Sequence, residues 1–269
     1  MIIAVDVGGT KTLVAGFKNK EYSFEHRFAT PKNQQDFLTD LLAILLPLKD
    51  EITTLSIAIP GLIDQHSGTV LRCGNLPWKN FELRTLLKRS LDCHVFIEND
   101  ANLAGLAEAH SLPHIPQVAL YITVSTGIGA GCIVNGTILP ALSAVEPGHI
   151  LIKRDGKLQE WEDYASGKAL KERTGQFAAD IKDPVIWKDV ASRVADGLYA
   201  LIPTLNPDVI IFGGSIGTYF ERYWQTHLEK ILRENLHTFV HIPPLVQAKN
   251  PEEAVLYGCR LHAQQHLAR

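Results

Sequence analysis

The stretch AVDVGGTKTLVAGF, residues 4–17, places an aspartate and two adjacent glycines between two apolar runs. Apolar runs rich in valine on either side of a short glycine turn predict a β-hairpin. The turn can be read in two ways: as a tight structural connection, or as a loop that binds a phosphate. The rest of the sequence helps to choose between them.

In the phosphate interpretation, each polar residue of this turn has a chemical role. Gly8 and Gly9 let backbone N–H groups approach a phosphate without an intervening Cβ. Thr10 adds a hydroxyl and Lys11 a cation, and Asp6 could hold Mg²⁺ through water. The stretch lacks the G-x-x-x-x-G-K spacing of a P-loop, so the motif by itself does not decide the question.

A second stretch, VALYITVSTGIGAGCIV at residues 118–134, repeats the plan of strand, glycine turn and strand. Its turn supplies Thr126, Gly127 and Gly129 as further phosphate-binding candidates. Two such hairpins about half a chain apart suggest a duplicated lobe with a central cleft, and together they favour a phosphate held between the lobes.

Short runs rich in valine and isoleucine alternate with longer segments of helical periodicity, which predicts an α/β fold with partly parallel sheets. The Pro-containing connector SLPHIPQ places a boundary near residue 115, giving an N-terminal lobe of 1–115 and a C-terminal lobe of 116–269. The last helix could pack back on the first lobe. Strands are predicted at 2–6, 12–17, 55–59, 94–97, 118–124, 130–134, 137–139, 208–212 and 244–248. Helices are predicted at 36–48, 80–91, 100–110, 167–175, 184–203, 217–235 and 251–267.

Composition and charge argue against several classes of function. The 269 residues carry a formal net charge of −3 without a long basic run, which argues against nucleic acid as a partner. The longest apolar run, VALYITV, is too short to span a bilayer, and the N-terminus shows no signal-peptide pattern. The four cysteines are scattered, as expected of free thiols in a reducing compartment. We therefore expect a cytoplasmic protein with no membrane partner.

The stretch VFIENDANLAGLAEA, residues 95–109, contains the sharpest candidate for chemistry. A strand is predicted to run into Asn99 and Asp100, after which a helix begins. Asp100 is either the N-cap of that helix or a functional carboxylate. Asn99 favours a ligand site, because α/β proteins contact ligands with polar groups at the carboxyl ends of strands.

Other segments supply groups suited to a polyhydroxylated ligand. AVEPGHILI and EWEDYASG contain donors and acceptors, and IPGLID and CGNLPW are loops that follow strands. VIIFGGSIG ends a buried strand with Gly213 and Gly214, which either accommodate an adenine ring or form an ordinary strand-to-helix turn. The candidate ligand contacts in the other four segments are Gly61, Asn75, Glu146, His149 and Glu162.

Taken in order, these stretches resemble the ROK family, named for repressors, open reading frames and sugar kinases, which belongs to the actin-like ATPase fold. The resemblance implies an α/β protein of two actin-like, ribonuclease H-like lobes with a central cleft. It covers nearly the whole chain and rests on DVGGTKT, IPGLID, NLPW, ENDAN, STGIGAG, EPGH, WEDYASG, NPDVIIFGGS and EAVLYGCRLHA.

The resemblance also implies roles for the candidate residues. Asp100 matches the family's catalytic base. The turns at residues 6–11 and 125–131 match the loops around the ATP phosphates, and Gly213 and Gly214 match residues that face the adenosine. The positions that match sugar contacts are Asn99, Asp100, Glu146, His149 and Glu162.

The chain departs from the family pattern in one clear place. Many members have a zinc site built from a histidine and a cysteine cluster of the form C-x-C-G-x-x-G-C, but residues 150–161 contain no cysteine. His149 alone does not make a tetrahedral site, so we expect no zinc, and what orients His149 is left open. Family repressors place a helix-turn-helix before the kinase-like body. Because DVGGT begins at residue 6, we expect no such domain in this sequence.

The function expected from the resemblance is ATP-dependent phosphorylation of a hexose hydroxyl with Mg²⁺, with glucose as the first candidate and a homodimer as the assembly. N-acetylmannosamine, N-acetylglucosamine and fructose are alternative substrates. A non-catalytic sugar sensor would keep the pocket without turnover, but the retained Asp100 and both phosphate loops count against it. An actin-like or chaperone ATPase would leave the sugar-contact residues unexplained.

Overall fold

The computed structural model describes residues 1–18, 21–250 and 253–268. Among the helices described, none combines the length and the apolar character needed to cross a membrane. The strands are β1 (Ile2–Val7), β2 (Lys11–Lys18), β3 (Glu21–Ala29), β4 (Thr54–Ile59), β5 (Gly61–Asp64), β6 (Thr69–Cys73), β7 (Lys79–Phe81), β8 (His94–Asn99), β9 (Val118–Val124), β10 (Ile128–Val134), β11 (Thr137–Ile138), β12 (Leu151–Arg154), β13 (Lys157–Glu160), β14 (Val209–Gly213) and β15 (Leu245–Gln247). The helices are α1 (Gln34–Leu45), α2 (Leu83–Lys88), α3 (Asp100–His110), α4 (Trp161–Ala165), α5 (Gly167–Thr174), α6 (Pro184–Leu205), α7 (Gly214–Gly217), α8 (Gln225–Asn235) and α9 (Ala254–Leu267).

The described residues form two compact units. Among the described residues, the first unit draws on 1–18, 21–107, 140–144 and 253–268, and the second on 108–139 and 145–250. The division differs from the expected boundary near residue 115 because the change of unit falls inside α3. It also differs because the segment 140–144 belongs to the first unit. Helix α9 belongs to the first unit as well, which is the packing considered above for the last helix.

The first unit is built on a mixed sheet with the strand order β3-β2-β1-β4-β8. β1 pairs antiparallel with β2 and parallel with β4, and β4 pairs parallel with β8. Because β1, β4 and β8 run in the same direction, their carboxyl ends meet at one edge of the sheet. Asp6, Ile59 and Asn99 therefore lie along that edge.

The two faces of this sheet are packed by different helices. On one face, large apolar residues such as Ile57 of β4 form a core with Phe37 of α1. On the other face, residues such as Ser56 of β4 are smaller, and helix α9 packs against β1 and β4. The buried Cys259 Sγ of α9 lies 3.9 Å from the Val5 carbonyl oxygen of β1. Burial on both faces explains why β4 is buried at every position.

The second unit repeats this topology in a sheet with the order β11-β10-β9-β14-β15. β9 and β10 form an antiparallel hairpin with Ile128 opposite Val124, and β14 pairs parallel with both β9 and β15. Trp187, Trp224 and Leu228 are fully buried in the core of this unit, which packs α6 against α8. The predicted α/β class is confirmed, and the two sheets share one plan.

Several elements were not expected from the sequence. β3 is mostly exposed, but its aromatic residues Tyr22, Phe24 and Phe28 are half-buried on one face, and Phe24 and Phe28 pack against the core of the first unit. The β12–β13 hairpin turns at Asp155 and Gly156, which have φ values of 52° and 78°, a conformation that favours Asp-Gly in tight hairpins. The expected helix at 217–235 is interrupted by a π-helical turn at Phe220–Trp224. Residues 251 and 252, where the last helix was expected to begin, lie outside the described residues.

Candidate functional site

The glycines of the first hairpin turn fit its close packing. The Gly8 N–H donates to the Lys11 carbonyl oxygen at 3.0 Å, and a Cβ on Gly8 would lie 2.8 Å from that oxygen. A Cβ on Gly9 would lie 2.9 Å from Asn75 Cβ. Thr10 and Lys11 are exposed. The structure therefore brings Gly9 next to Asn75 and leaves two side chains of the turn accessible to a ligand.

Asp6 and Asp100 of the first unit are half-buried carboxylates. Burial, and then the negative charge of Asp100, raise the pKa of Asp6 to about 7, while Lys11 acts in the opposite direction. Burial also raises the pKa of Asp100, although the Ala101 N–H opposes this by donating to Asp100 Oδ1 at 2.9 Å. Carboxylate oxygens are the ligands that Mg²⁺ prefers, and a cation would offset both burial and repulsion. The residues present thus fit a Mg²⁺ ion held by Asp6.

Asn99 caps helix α3. Its Oδ1 accepts hydrogen bonds from the backbone N–H groups of Ala101 at 2.8 Å and Asn102 at 3.3 Å, which is the geometry of an N-cap. Its Nδ2 donates to the Gly61 carbonyl oxygen at 3.2 Å. The structure therefore brings Gly61 and Asn99 together. It also gives the capping role considered for Asp100 to its neighbour, so α3 can begin without the Asp100 carboxylate.

Glu98 is a residue that the sequence interpretation missed. It is 3% exposed and accepts hydrogen bonds from Asn99 N–H at 2.8 Å, Gln65 Nε2 at 2.9 Å and Asn102 Nδ2 at 3.0 Å. Burial raises the pKa of its carboxyl. These bonds fix the end of β8 immediately before Asn99 and Asp100. The available signal was an acid at the end of an apolar strand, which by itself also suits an exposed position.

Glu162 contacts the glycine turn of the second unit. Its Oε2 accepts a hydrogen bond from the Ile128 N–H at 3.1 Å, and a Cβ on Gly127 would lie 2.5 Å from the same oxygen. Thr126 is exposed. Gly129 lies inside β10 rather than in the turn. Glu162, expected to bind sugar, is thus hydrogen-bonded to the glycine turn that is expected to bind phosphate.

Two further polar side chains of the second unit, those of His149 and Glu160, lie near Glu162. His149 ends a 3₁₀ turn at Pro147–His149, and its Nδ1 is 2.7 Å from Glu160 Oε2. Gly148 lies close to Glu162, since a Cβ there would be 3.1 Å from Oε2. The hydrogen bond with Glu160 raises the pKa of His149, burial opposes this, and the negative charges of Glu160, Glu162 and Glu146 raise it further. The potential ligand atoms of His149, Glu160 and Glu162 lie within 4.8 Å of one another.

Gly213 and Gly214 are explained by packing within the second unit. A Cβ on Gly213 would lie 2.2 Å from Tyr121 Oη, and a Cβ on Gly214 would lie 2.6 Å from Thr123 Oγ1. Gly214 also has a φ of 79°, which favours glycine. The turn from β14 to α7 needs both glycines in this structure, so their contact with a nucleotide stays a prediction.

A repeated sheet with an antiparallel hairpin followed by parallel strands is the plan of the actin-like ATPase fold. The ROK family model matches residues 2–266, so the chain belongs to the ROK family. The family inferred from the order of the motifs is thereby confirmed.

Named relatives include both kinases and repressors. The chain is 26% identical to a glucokinase from Thermotoga maritima, an alignment that covers 96% of this chain and 95% of the relative. It is 26% identical to a fructokinase from Lactococcus lactis, over 79% of this chain and 78% of the relative. It is also 25% identical to a xylose repressor from Caldicellulosiruptor bescii, over 77% of this chain and 61% of the relative.

Solved structures confirm the fold. The chain matches a ROK hexokinase from Thermus thermophilus with a TM-score of 0.81 and 27% identity, over 99% of both chains. It matches a ROK family glucokinase from Streptomyces griseus, solved in complex with glucose and AMPPNP, with a TM-score of 0.80 and 24% identity. That second match covers 98% of this chain and 99% of the other. At this level of identity, it supports only the assignment of the fold.

Proposed function

We propose that this chain is an ATP-dependent sugar kinase that transfers the γ-phosphoryl group to a hexose hydroxyl, with glucose as the first candidate. Membership of the ROK family and the kinases among its relatives support the class of reaction. The observation that carries the proposal is the position of Asp100. It is a half-buried carboxylate at the carboxyl edge of parallel strands, in the electrostatic field of Asp6, and Asn99 performs the capping of α3 in its place.

In the proposed reaction, the sugar hydroxyl oxygen attacks the γ-phosphorus while Asp100 accepts the hydroxyl proton, and the bond from the γ-phosphorus to the bridging oxygen of ADP breaks. Asp100 must be ionised to accept that proton. Asp6 would hold Mg²⁺, which when bound would supply positive charge to offset the negative charge of the phosphoryl group. Lys11 adds a cationic side chain near Asp6, which favours the ionised carboxylate of Asp6.

The remaining candidate residues divide between sugar and nucleotide. Hydroxyl groups of a sugar both donate and accept hydrogen bonds, so mixed carboxylate, amide and imidazole groups suit them. Exposed Thr10 and Thr126 beside glycines suit phosphate oxygens. The proposed sugar contacts are Gly61, Asn75, Asn99, Glu146, His149 and Glu162. The proposed nucleotide contacts are Gly8, Gly9, Thr10, Lys11, Thr126, Gly127, Gly129, Gly213 and Gly214.

The setting of the enzyme forms part of the proposal. All four cysteines are free thiols, which supports a reducing compartment such as the cytoplasm. The expected homodimer rests on family membership and is tested by light scattering of the purified chain. The sugar expected to be used first is glucose, ahead of N-acetylmannosamine, N-acetylglucosamine and fructose.

A coupled assay of ADP release with ATP, Mg²⁺ and a panel of these sugars tests the proposal. We expect ADP release that depends on one sugar and is small when sugar is omitted. Sugar binding in calorimetry without ADP release, for every sugar and with ATP present, would instead indicate a sensor. ADP release that no sugar stimulates would indicate an ATPase of another kind.

A further inference from the structure

The β12–β13 hairpin brings Glu160 to His149. Nδ1 of His149 and Oε2 of Glu160 are 2.7 Å apart, although the two residues are eleven positions apart in the chain. His149 ends its 3₁₀ turn two residues before β12, and Glu160 is the last residue of β13. The contact therefore depends on how the hairpin pairs.

The register of the hairpin is fixed at both ends. Leu151 pairs with Glu160, and the Trp161 N–H donates to the Ile150 carbonyl oxygen at 2.9 Å. At the other end, Asp155 and Gly156 form the turn with positive φ values. A slip of one residue would turn the side chain of Glu160 to the opposite face of the hairpin, away from His149.

The hairpin is also anchored to the core of the second unit. The Arg154 guanidinium of β12 forms an ion pair with Asp196 of α6. Trp161, which follows Glu160, is fully buried, and its Nε1 donates to the Arg193 carbonyl oxygen of α6 at 2.9 Å. The contacts of Arg154 and Trp161 with α6 therefore fix the backbone before and after Glu160. A fixed backbone suits a residue that orients another side chain.

We propose that Glu160 is a positioning residue that holds the His149 imidazole with a proton on Nδ1, so that Nε2 contacts a hydroxyl of the sugar. The inference rests on the proposed sugar kinase function. Glu160 can only accept at this contact, so Nδ1 carries the proton and Nε2 is the atom left for a ligand. The His149 and Glu160 side chains are 55% and 41% exposed, and an ion pair this exposed adds little to stability. We therefore assign the His149–Glu160 pair to orienting the imidazole rather than to stabilising the fold.

The charges around the imidazole determine whether Nε2 donates or accepts a hydrogen bond. The hydrogen bond and charge of Glu160 raise the pKa of His149, and Glu162 and Glu146 add to this effect, while burial opposes it. The protonated ring is favoured, so Nε2–H donates. Glu162, whose carboxylate lies within the same 4.8 Å group, accepts. A donor beside an acceptor matches two neighbouring hydroxyls of a sugar ring, each of which can take the complementary role.

Three variants of the full chain test the assignment by steady-state kinetics. Glu160→Ala removes the contact, and Glu160→Gln keeps an acceptor but loses the charge. Glu160 and Asp163 also form the capping box of α4, in which the Glu160 side chain accepts from the Asp163 N–H and Asp163 Oδ2 accepts from the Glu160 N–H at 3.3 Å. Asp163→Asn is therefore the matched control for the loss of helix capping. We expect the sugar KM to rise about 2- to 13-fold in Glu160→Ala, as for loss of one hydrogen bond, and less in Glu160→Gln. The KM for ATP and the Asp163→Asn variant should stay near wild type.

Two further measurements separate this inference from the proposed function. Titration of the His149 ring by NMR needs no activity, and we expect a higher pKa in wild type than in Glu160→Gln. Unchanged titration together with an unchanged sugar KM would overturn the inference, and so would an Asp163→Asn defect as large as that of Glu160→Ala. EDTA treatment followed by Mg²⁺ alone should restore full activity. A requirement for a second metal would instead assign His149, Glu160 and Glu162 to a cation.

Discussion

Substitutions at Glu162 should separate two tasks of one carboxylate. Glu162 is a proposed sugar contact, and its Oε2 also accepts a hydrogen bond from the Ile128 N–H at 3.1 Å in the second glycine turn. Glu162→Gln removes the charge but keeps an amide oxygen that can accept from Ile128. Glu162→Ala removes both the charge and the acceptor.

The two variants should differ in their effects on the KM for ATP and on the free energy of unfolding. Loss of a charged hydrogen bond to a sugar hydroxyl costs about 1.5–3 kcal/mol, which is roughly a 10- to 150-fold rise in the sugar KM for both variants. Glu162→Ala also leaves the Ile128 N–H without its acceptor, which costs about 1–3 kcal/mol of the free energy of unfolding. The turn at Gly127 then loses its support, so the KM for ATP should rise in Glu162→Ala and stay near wild type in Glu162→Gln.

The assay is steady-state kinetics with each substrate varied in turn, together with urea denaturation of each variant. Glu172→Gln, on the exposed surface of α5, is the matched control and should leave all parameters unchanged. The proposed separation of the two roles of Glu162 is wrong if Glu162→Gln raises the KM for ATP as much as the KM for sugar. It is also refuted if neither variant changes the sugar KM.

Three further outcomes are expected. Gly9→Ala should lower the free energy of unfolding by about 1–3 kcal/mol in urea denaturation, because its Cβ would lie 2.9 Å from Asn75 Cβ, and wild-type stability would contradict this packing. Elemental analysis of tag-free protein should find far less than one zinc per chain, since residues 150–161 lack cysteine, and a value near one would contradict this. Burial raises the pKa of Glu98 above its ordinary 4.5, so its contribution to stability is full below that pH and is lost as the pH rises through the folded-state pKa. The Glu98→Gln variant should therefore gain stability relative to wild type as the pH rises above 4.5, and a stability difference that does not change with pH would contradict the shift.

Local sequence signals were enough to predict the α/β class and the elements that carry Asp6, Asn99 and Asp100. The runs IIAVDV and VALYITV are buried strands in the structure, and each leads into a glycine turn at the expected position. The predicted strand at 94–97 and helix at 100–110 meet at Asn99 and Asp100, as observed. These elements were predictable because periodicity, turn residues and strand ends are properties of short segments.

Contacts that depend on pairing and on backbone geometry could not be read in the same way. Glu160 reaches His149 only through the register of the β12–β13 hairpin, and the sequence alone does not set it apart from Glu162 two positions later. Asn99 and Asp100 are both good N-cap residues, so only the observed hydrogen bonds assign the cap to Asn99. Edge strand β3 was missed because charged residues separate Tyr22, Phe24 and Phe28, although these three aromatic side chains are half-buried on one face of the strand.

The central claim, that Asp100 accepts the proton of the sugar hydroxyl, is tested most directly by measuring kcat and sugar affinity together in Asp100→Asn. Asparagine has nearly the same shape but cannot take the proton, and Asn99 still caps α3. Asp183→Asn is the matched control, because Asp183 Oδ1 caps α6 by accepting from the Val185 N–H at 2.8 Å. We predict that kcat falls about 10²–10⁴-fold in Asp100→Asn, with sugar affinity by calorimetry close to wild type, and that Asp183→Asn keeps its kcat. A kcat for Asp100→Asn within a few-fold of wild type would contradict the claim.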